Sequence, residues 1–185
     1  MGGYRHRLAG WYGADKAVRF DMAGWERFVP ARGAAGFQVS NPSAIDLASL
    51  TGALSVFAAA AAAGRPGGTA MRRLRDKALV LTGYLEWLLI RLLEEGVGRK
   101  RLGGGDVPAF RIITPGNPLE RGCQLSLLLR EGILESVSRA LAERGVVCDA
   151  RKPDVIRVAP VPMYCRFEDV WGFVEAFREA LEEAK

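Results

Sequence analysis

The hydrophobic pattern of this chain changes abruptly at a glycine-rich stretch, residues 96–106. Before that stretch, apolar residues recur at steps of three and four, which is the spacing of one helix face. The positions are Leu74, Ala78, Leu81, Leu85, Leu88 and Leu92. After it, short apolar runs alternate with turn residues, which is typical of strands. The pattern predicts long helices first and then a compact layer that mixes strands with helices.

Two long helices are predicted over residues 42–63 and 69–95. For the first, either Ser40 or Asn41 is expected to cap the N-terminus, with Pro42 as the first helical residue. Gly64 and the glycines after it end that helix. Residues 96–106 are expected to form a loop. Residues 1–40 are irregular, with only short candidate strands around Gln38, and cannot bury themselves alone.

The remainder predicts an α+β fold, a small sheet covered by helices on one side. Its elements are expected in the order strand, strand, helix, strand, strand, helix. The ranges are residues 110–114, 124–129, 131–144, 146–148, 155–161 and 167–183.

Composition limits the classes of protein to which this chain can belong. The chain has 185 residues, 49% of them hydrophobic and 25% charged, as in globular domains. No apolar run has the roughly 18 to 20 residues of a membrane span, and the first residues lack the apolar segment of a secretory signal. Cys123, Cys148 and Cys165 show no metal-binding spacing and His6 is the one histidine, which argues against structural zinc and favours a reducing compartment.

The net charge of +5 raises the possibility of nucleic-acid binding. The excess lies in two clusters, residues 72–77 and 99–101, and neither has interleaved aromatic residues or a recognised nucleic-acid motif. We therefore interpret both clusters as solvated basic faces.

Arg157 is the residue that local rules explain least. It lies in the apolar run VIRVAPVP, where a charged side chain costs desolvation unless a carboxylate pairs with it. The guanidinium fork suits a carboxylate in two-point contact. Alternatively, strand alternation turns Arg157 towards water. The residues alone leave both interpretations open, and they show no nucleophile, phosphate loop or dinucleotide motif.

Seven short motifs come in the order and at roughly the spacing found in the C-terminal part of kynureninases. They are GWYG, RF-M, GFQVSNP, LTGYLE, ERGCQL, RGVVCD and IRVAPVPMY, and the resemblance covers residues 8–177. It implies a homodimeric enzyme of fold type I that depends on pyridoxal 5'-phosphate (PLP). Such enzymes hydrolyse kynurenine or 3-hydroxykynurenine to alanine and anthranilate or 3-hydroxyanthranilate, in tryptophan catabolism towards NAD.

The resemblance also implies roles for single residues. Trp11 matches a tryptophan whose indole N–H reaches the PLP phosphate, and Asn41 matches a residue that shares this phosphate and substrate region. Both are expected to reach into the neighbouring protomer's site. Tyr12 and Ser40 match neighbours that line the aryl pocket. Arg157 matches the arginine that holds the substrate α-carboxylate. Asparagine at the Asn41 position goes with family members that favour the 3-hydroxylated substrate.

One departure from the family is expected to matter. The family's Schiff-base lysine precedes the segment that Trp11 begins, and none of the five lysines here matches it; they are Lys16, Lys77, Lys100, Lys152 and Lys185. The resemblance thus assigns residues 1–64 to the tail of an incomplete large domain. Residues 65–108 become a long linking helix with its glycine-rich loop, and residues 109–185 the small α+β domain.

Three interpretations follow from this departure. The chain is the C-terminal portion of a cytoplasmic kynureninase, inactive until a large domain supplies the lysine. Alternatively, it is a non-catalytic kynureninase-like partner or scaffold, or an unrelated ligand-binding module. The first predicts that residues 1–63 expose an apolar surface that packs on the missing part.

Overall fold

The computed structural model describes residues 10–21, 28–62, 69–102 and 105–184. The chain divides into two compact units, residues 1–60 and 61–185. In the first unit, 3-10 turns form at Trp11–Gly13 and Gly33–Phe37, and helix α1 (Ala44–Ala62) begins there and ends two residues past residue 60. The predicted strands around Gln38 are wrong, because the 3-10 turn closes there with a hydrogen bond from the Gln38 amide to the Ala35 carbonyl.

Helix α1 begins later than predicted. The Ser43 hydroxyl accepts a hydrogen bond from the Asp46 amide at 3.2 Å, and the Ser43 carbonyl accepts one from Leu47 at 3.1 Å. Ser43 is therefore the N-cap, and the predicted cap at Ser40 or Asn41 is wrong. The cap moves because Ser43 places its oxygen over the first turn, while Asp46 adds a favourable negative charge there.

The apolar side chains of α1 are largely exposed. They include Ile45, Leu47, Leu50, Leu54 and Val56. A helix that is apolar on several sides and exposed needs another surface to cover it. These exposed side chains lie within residues 1–63, the range for which an apolar surface is expected.

In the second unit, helix α2 spans Ala70–Glu95, between a Thr69 cap and Gly96 in the left-handed conformation. The strands are β1 (Lys100–Leu102), β2 (Gly105–Val107), β3 (Phe110–Ile112), β4 (Leu125–Leu129), β5 (Asp149–Arg151) and β6 (Val155–Val158). Helices α3 (Leu134–Glu143) and α4 (Phe167–Glu183) complete the unit. The order β3-β4-β6-β5 forms an antiparallel sheet, so the predicted α+β class is confirmed. In the described ranges, no helix combines the length and apolarity needed to cross a membrane.

The strands at residues 110–112 and 155–158 and the helix at residues 134–143 are shorter than predicted, and two further elements differ in kind or position. The expected loop at residues 96–106 contains the β1–β2 hairpin. The expected strand at residues 146–148 lies three residues later, as β5. Val146 instead continues the turn after α3, donating its amide to the Leu141 carbonyl at 2.9 Å, and Val147 is 95% exposed.

The core of this unit lies on one face of the four-stranded sheet. That face presents Phe110, Leu125, Leu127, Leu129 and Ile156, all buried. Helix α2 covers it with Leu81, Leu85, Leu89 and Leu92, and α3 and α4 add Val137, Leu141, Val174 and Phe177. Every member of the buried apolar cluster lies between residues 81 and 184.

A buried ion pair holds the β3–β4 connection against α2. The Arg121 guanidinium donates to both carboxylate oxygens of Glu86, at 2.7 and 2.5 Å, and to the Pro115 carbonyl at 3.1 Å. The Arg121 side chain is 4% exposed and that of Glu86 22%. Both residues lie in motifs that the sequence singled out, LTGYLE and ERGCQL, yet their pairing was not predicted.

Replacing Arg121 should therefore destabilise the fold. Arg121→Ala leaves the Glu86 carboxylate without its partner, and breaking a buried pair in this way costs about 3 kcal/mol. Urea unfolding measures the free energy. The matched control is Arg72→Ala, which removes an exposed ion pair with Asp76 and should cost less than about 1 kcal/mol. Equal losses in the two variants would contradict the assignment.

The same pair predicts a pH dependence. The Arg121 hydrogen bond holds the pKa of Glu86 below its ordinary value of 4.5. The stabilisation is therefore complete above that value and is lost as the pH falls through the folded-state pKa. In urea unfolding across this range, the wild-type protein should lose stability with acidification more steeply than Glu86→Gln. If the stability of the two proteins fell equally with pH, the Glu86–Arg121 pair would not have the proposed stabilising role.

Candidate functional site

Arg157 lies in the middle of β6, on the face opposite the core. Its neighbours along the strand, Ile156 and Val158, are buried among the helices. Because successive strand residues alternate between faces, Arg157 is on the other face. There it stands between Ser126 of β4 and Asp149 of β5 in the strand register.

The guanidinium of Arg157 is part-exposed and paired with a neighbouring carboxylate. Nη2 donates to Oδ2 of Asp149, and the side chain is 33% exposed. Nε is buried and has no hydrogen-bond partner among the described residues. Strand alternation thus turns Arg157 away from the core, as the second interpretation expected, and on that face the guanidinium also pairs with a carboxylate of this chain, with Nε left without a partner among the described residues. Asp149 was not predicted, although it ends the RGVVCD motif.

A cavity of about 280 Å³ adjoins this pair. Arg157, Asp149 and Gln124 line its polar part, at the end of the sheet, while Leu85 and Phe173 come from the covering helices. Binding cavities commonly combine an apolar wall with a few polar groups that orient the ligand. This cavity suits a small molecule with one carboxylate and an apolar remainder.

Two thiols, those of Cys148 and Cys165, also line the cavity. Burial raises the pKa of the Cys148 thiol to about 11. A buried, protonated thiol is a poor nucleophile. Over the described ranges, no group of three or more His, Cys, Asp or Glu side chains is placed to hold a metal ion.

The other predicted site residues lie in the first unit, on two segments in close contact. A Cβ atom at Gly13 would lie 2.6 Å from the Gly36 carbonyl oxygen and 2.8 Å from that of Gln38, and one at Gly10 would collide with the Val39 backbone. Glycine at both positions thus allows the GWYG turn to pack on the GFQVSNP segment. The structure thereby brings the segment of Trp11 and Tyr12 against the segment that leads to Ser40 and Asn41.

Side chains at these positions are accessible. Trp11 is 49% exposed and meets the Tyr12 ring edge-on, with centroids 5.1 Å apart. The Arg19 guanidinium lies 4.4 Å from the Tyr12 ring centroid. Ser40 and Asn41 are exposed. Arg157 belongs to the second unit.

A family model and several individual relatives all point to the same protein family. The family model described as Kynureninase C-terminal domain matches residues 74–177. Kynureninase 2 of Chaetomium globosum is 65% identical over 180 residues, covering 97% of this chain and 31% of that protein. Kynureninase 1 of Neurospora crassa is 58% identical over 178 residues, covering 96% and 33%. Kynureninase of Pyricularia oryzae is 53% identical over 179 residues, covering 97% and 34%. This chain spans about a third of the length of these relatives.

Cys148 should react slowly with alkylating reagents. With a pKa of about 11, its thiolate fraction is about a hundredfold smaller than for a thiol of ordinary pKa 9.0. Iodoacetamide labelling followed by peptide mass spectrometry should show slow modification in the folded chain, rising about tenfold per pH unit. The urea-unfolded chain is the control. Equal rates in the folded and unfolded chains would refute this protection.

Proposed function

Since this chain belongs to the kynureninase family, we propose that it forms the C-terminal part of a kynureninase. The proposed reaction is the hydrolysis of kynurenine or 3-hydroxykynurenine to alanine and anthranilate or 3-hydroxyanthranilate, in tryptophan catabolism towards NAD. The observation that carries the proposal is the part-buried Arg157 beside a cavity, with guanidinium donors unused.

In this proposal Arg157 holds the α-carboxylate of the substrate. A guanidinium can give two parallel N–H bonds to one carboxylate, which fixes orientation as well as affinity. Such a hold would keep the amino-acid end of the substrate in one position and one orientation. Leu85 and Phe173 give the cavity an apolar wall beside that end.

The first unit is proposed to contribute uncharged groups. The Trp11 indole and the Asn41 amide are exposed, uncharged N–H donors, which suits added hydrogen bonds to a phosphate dianion already held elsewhere. Tyr12 and Ser40 are proposed to line the aryl pocket. The residues present therefore fit a shared PLP site rather than a whole one. When bound, PLP supplies an electron sink for C–C bond cleavage.

The remaining groups are proposed to come from other chain segments. The lysine that carries PLP belongs to a large domain supplied outside these 185 residues, and a second protomer completes the homodimer. The exposed apolar side chains of α1 offer a surface for such packing. All three cysteines are free, which suits the reducing cytoplasm. The alternative role is a non-catalytic kynureninase-like partner or scaffold.

A chimera tests the proposal. The N-terminal two-thirds of the Chaetomium globosum Kynureninase 2 is joined to this chain in place of its own C-terminal third. We expect the chimera to release 3-hydroxyanthranilate from 3-hydroxykynurenine, measured by product fluorescence, and the 185-residue chain alone to release none. A folded but inactive chimera would favour the non-catalytic alternative.

Replacing Arg157 in the active chimera tests the site. Arg157→Ala should raise KM by about 10- to 100-fold, since a charge-assisted hydrogen bond contributes roughly 1.5–3 kcal/mol. Arg157→Lys keeps the positive charge but lacks the planar fork of donors, so its KM should lie between those of the wild-type chimera and Arg157→Ala. An unchanged KM in Arg157→Ala would overturn the assignment.

A further inference from the structure

We propose that Asp149 is a positioning residue for carboxylate recognition by Arg157. The inference rests on the proposed function, because it requires Arg157 to hold a substrate carboxylate. It gives a specific role to one further side chain, which fixes the guanidinium in place while leaving donors for the ligand.

The strand register makes the contact direct. Asp149 and Arg157 are cross-strand partners on β5 and β6, on the outer face of the sheet. Oδ2 of Asp149 accepts from Nη2 of Arg157 and lies 3.0 Å from Nη2 of Arg151. The aspartate is thus held by a second arginine, which limits its own movement.

The hydrogen bonds of Arg157 leave room for a ligand. Nη2 of Arg157 carries two N–H bonds, and Asp149 needs one of them. The other N–H groups of this guanidinium have no partner among the described residues, and Nε is buried. Two remaining donors can therefore meet both oxygens of one incoming carboxylate. An arginine already fixed by Asp149 loses less rotamer freedom on binding.

The charges fit a monoanion. Arg151, Asp149 and Arg157 together carry one net positive charge, as two guanidinium groups and one carboxylate. One substrate carboxylate bound to Arg157 would continue this alternation of charges as its fourth member. Without Asp149, the two arginines would face each other without an intervening anion, and Arg157 would lose the partner that holds it.

The test compares variants in the active chimera. Asp149→Asn should raise KM for 3-hydroxykynurenine about tenfold with kcat within about twofold, since the charge-assisted contact is lost while the chemical step is unchanged. Asp149→Glu, which restores the carboxylate, should recover part of the loss. The matched control is Asp106→Asn, which removes an exposed ion pair with Arg99 in the hairpin and should leave KM unchanged.

A second measurement needs no turnover. In ¹⁵N spectra of the 185-residue chain, the Arg157 Nε–H signal, assigned by its loss in Arg157→Lys, should exchange slowly with water and faster in Asp149→Asn. This exchange measurement tests the positioning role of Asp149 even if the Asp149→Asn chimera does not fold.

The outcomes separate the two proposals. If Arg157→Ala raises KM but Asp149→Asn leaves it unchanged or lowers it, Asp149 does not position the arginine and only this inference fails. If Arg157→Ala itself leaves KM unchanged, the proposed function of the site fails. Equal Nε–H exchange in wild type and Asp149→Asn would likewise overturn the positioning role.

Discussion

The register of β6 is set by the burial of Ile156 and Val158, and the arrangement on the outer face depends on it. A slip of one residue against β4 would turn both apolar side chains outwards and bring Arg157 into the core. The desolvation free energy of an unpaired guanidinium in the core is larger than the stabilisation that any contact on the outer face provides. The apolar neighbours of Arg157 thus fix its position in the strand. Asp149 then affects only the orientation of the guanidinium on the outer face.

The long helices and the order of elements could be predicted from sequence because their hydrophobic periods are strong. Helix α4 has the predicted bounds, and α2 begins one residue from its predicted start. The errors occur where local rules compete. Helix α1 is capped by Ser43 and not by Ser40 or Asn41. The β1–β2 hairpin was missed because glycine occurs both in hairpin turns and in irregular loops, so a glycine-rich stretch does not distinguish between them.

For the site, the sequence singled out Arg157 because an arginine inside an apolar run is unusual. It missed Asp149, since the strand containing it was placed three residues too early and the contact depends on pairing with β6. The Glu86–Arg121 pair was missed for a related reason. Its members are 35 residues apart, and local patterns carry no information about which helix position meets which loop position.

The two units also differ in how firmly they can hold their hydrogen bonds. The buried turns of α2 belong to an apolar cluster drawn from residues 81–184, so their amides exchange with solvent only when that cluster separates as a whole. Helix α1 has exposed apolar side chains, and a helix without buried contacts is expected to open locally at small free-energy cost. Amide protons in the second unit therefore report its global stability, whereas those of α1 report whether another surface covers the helix.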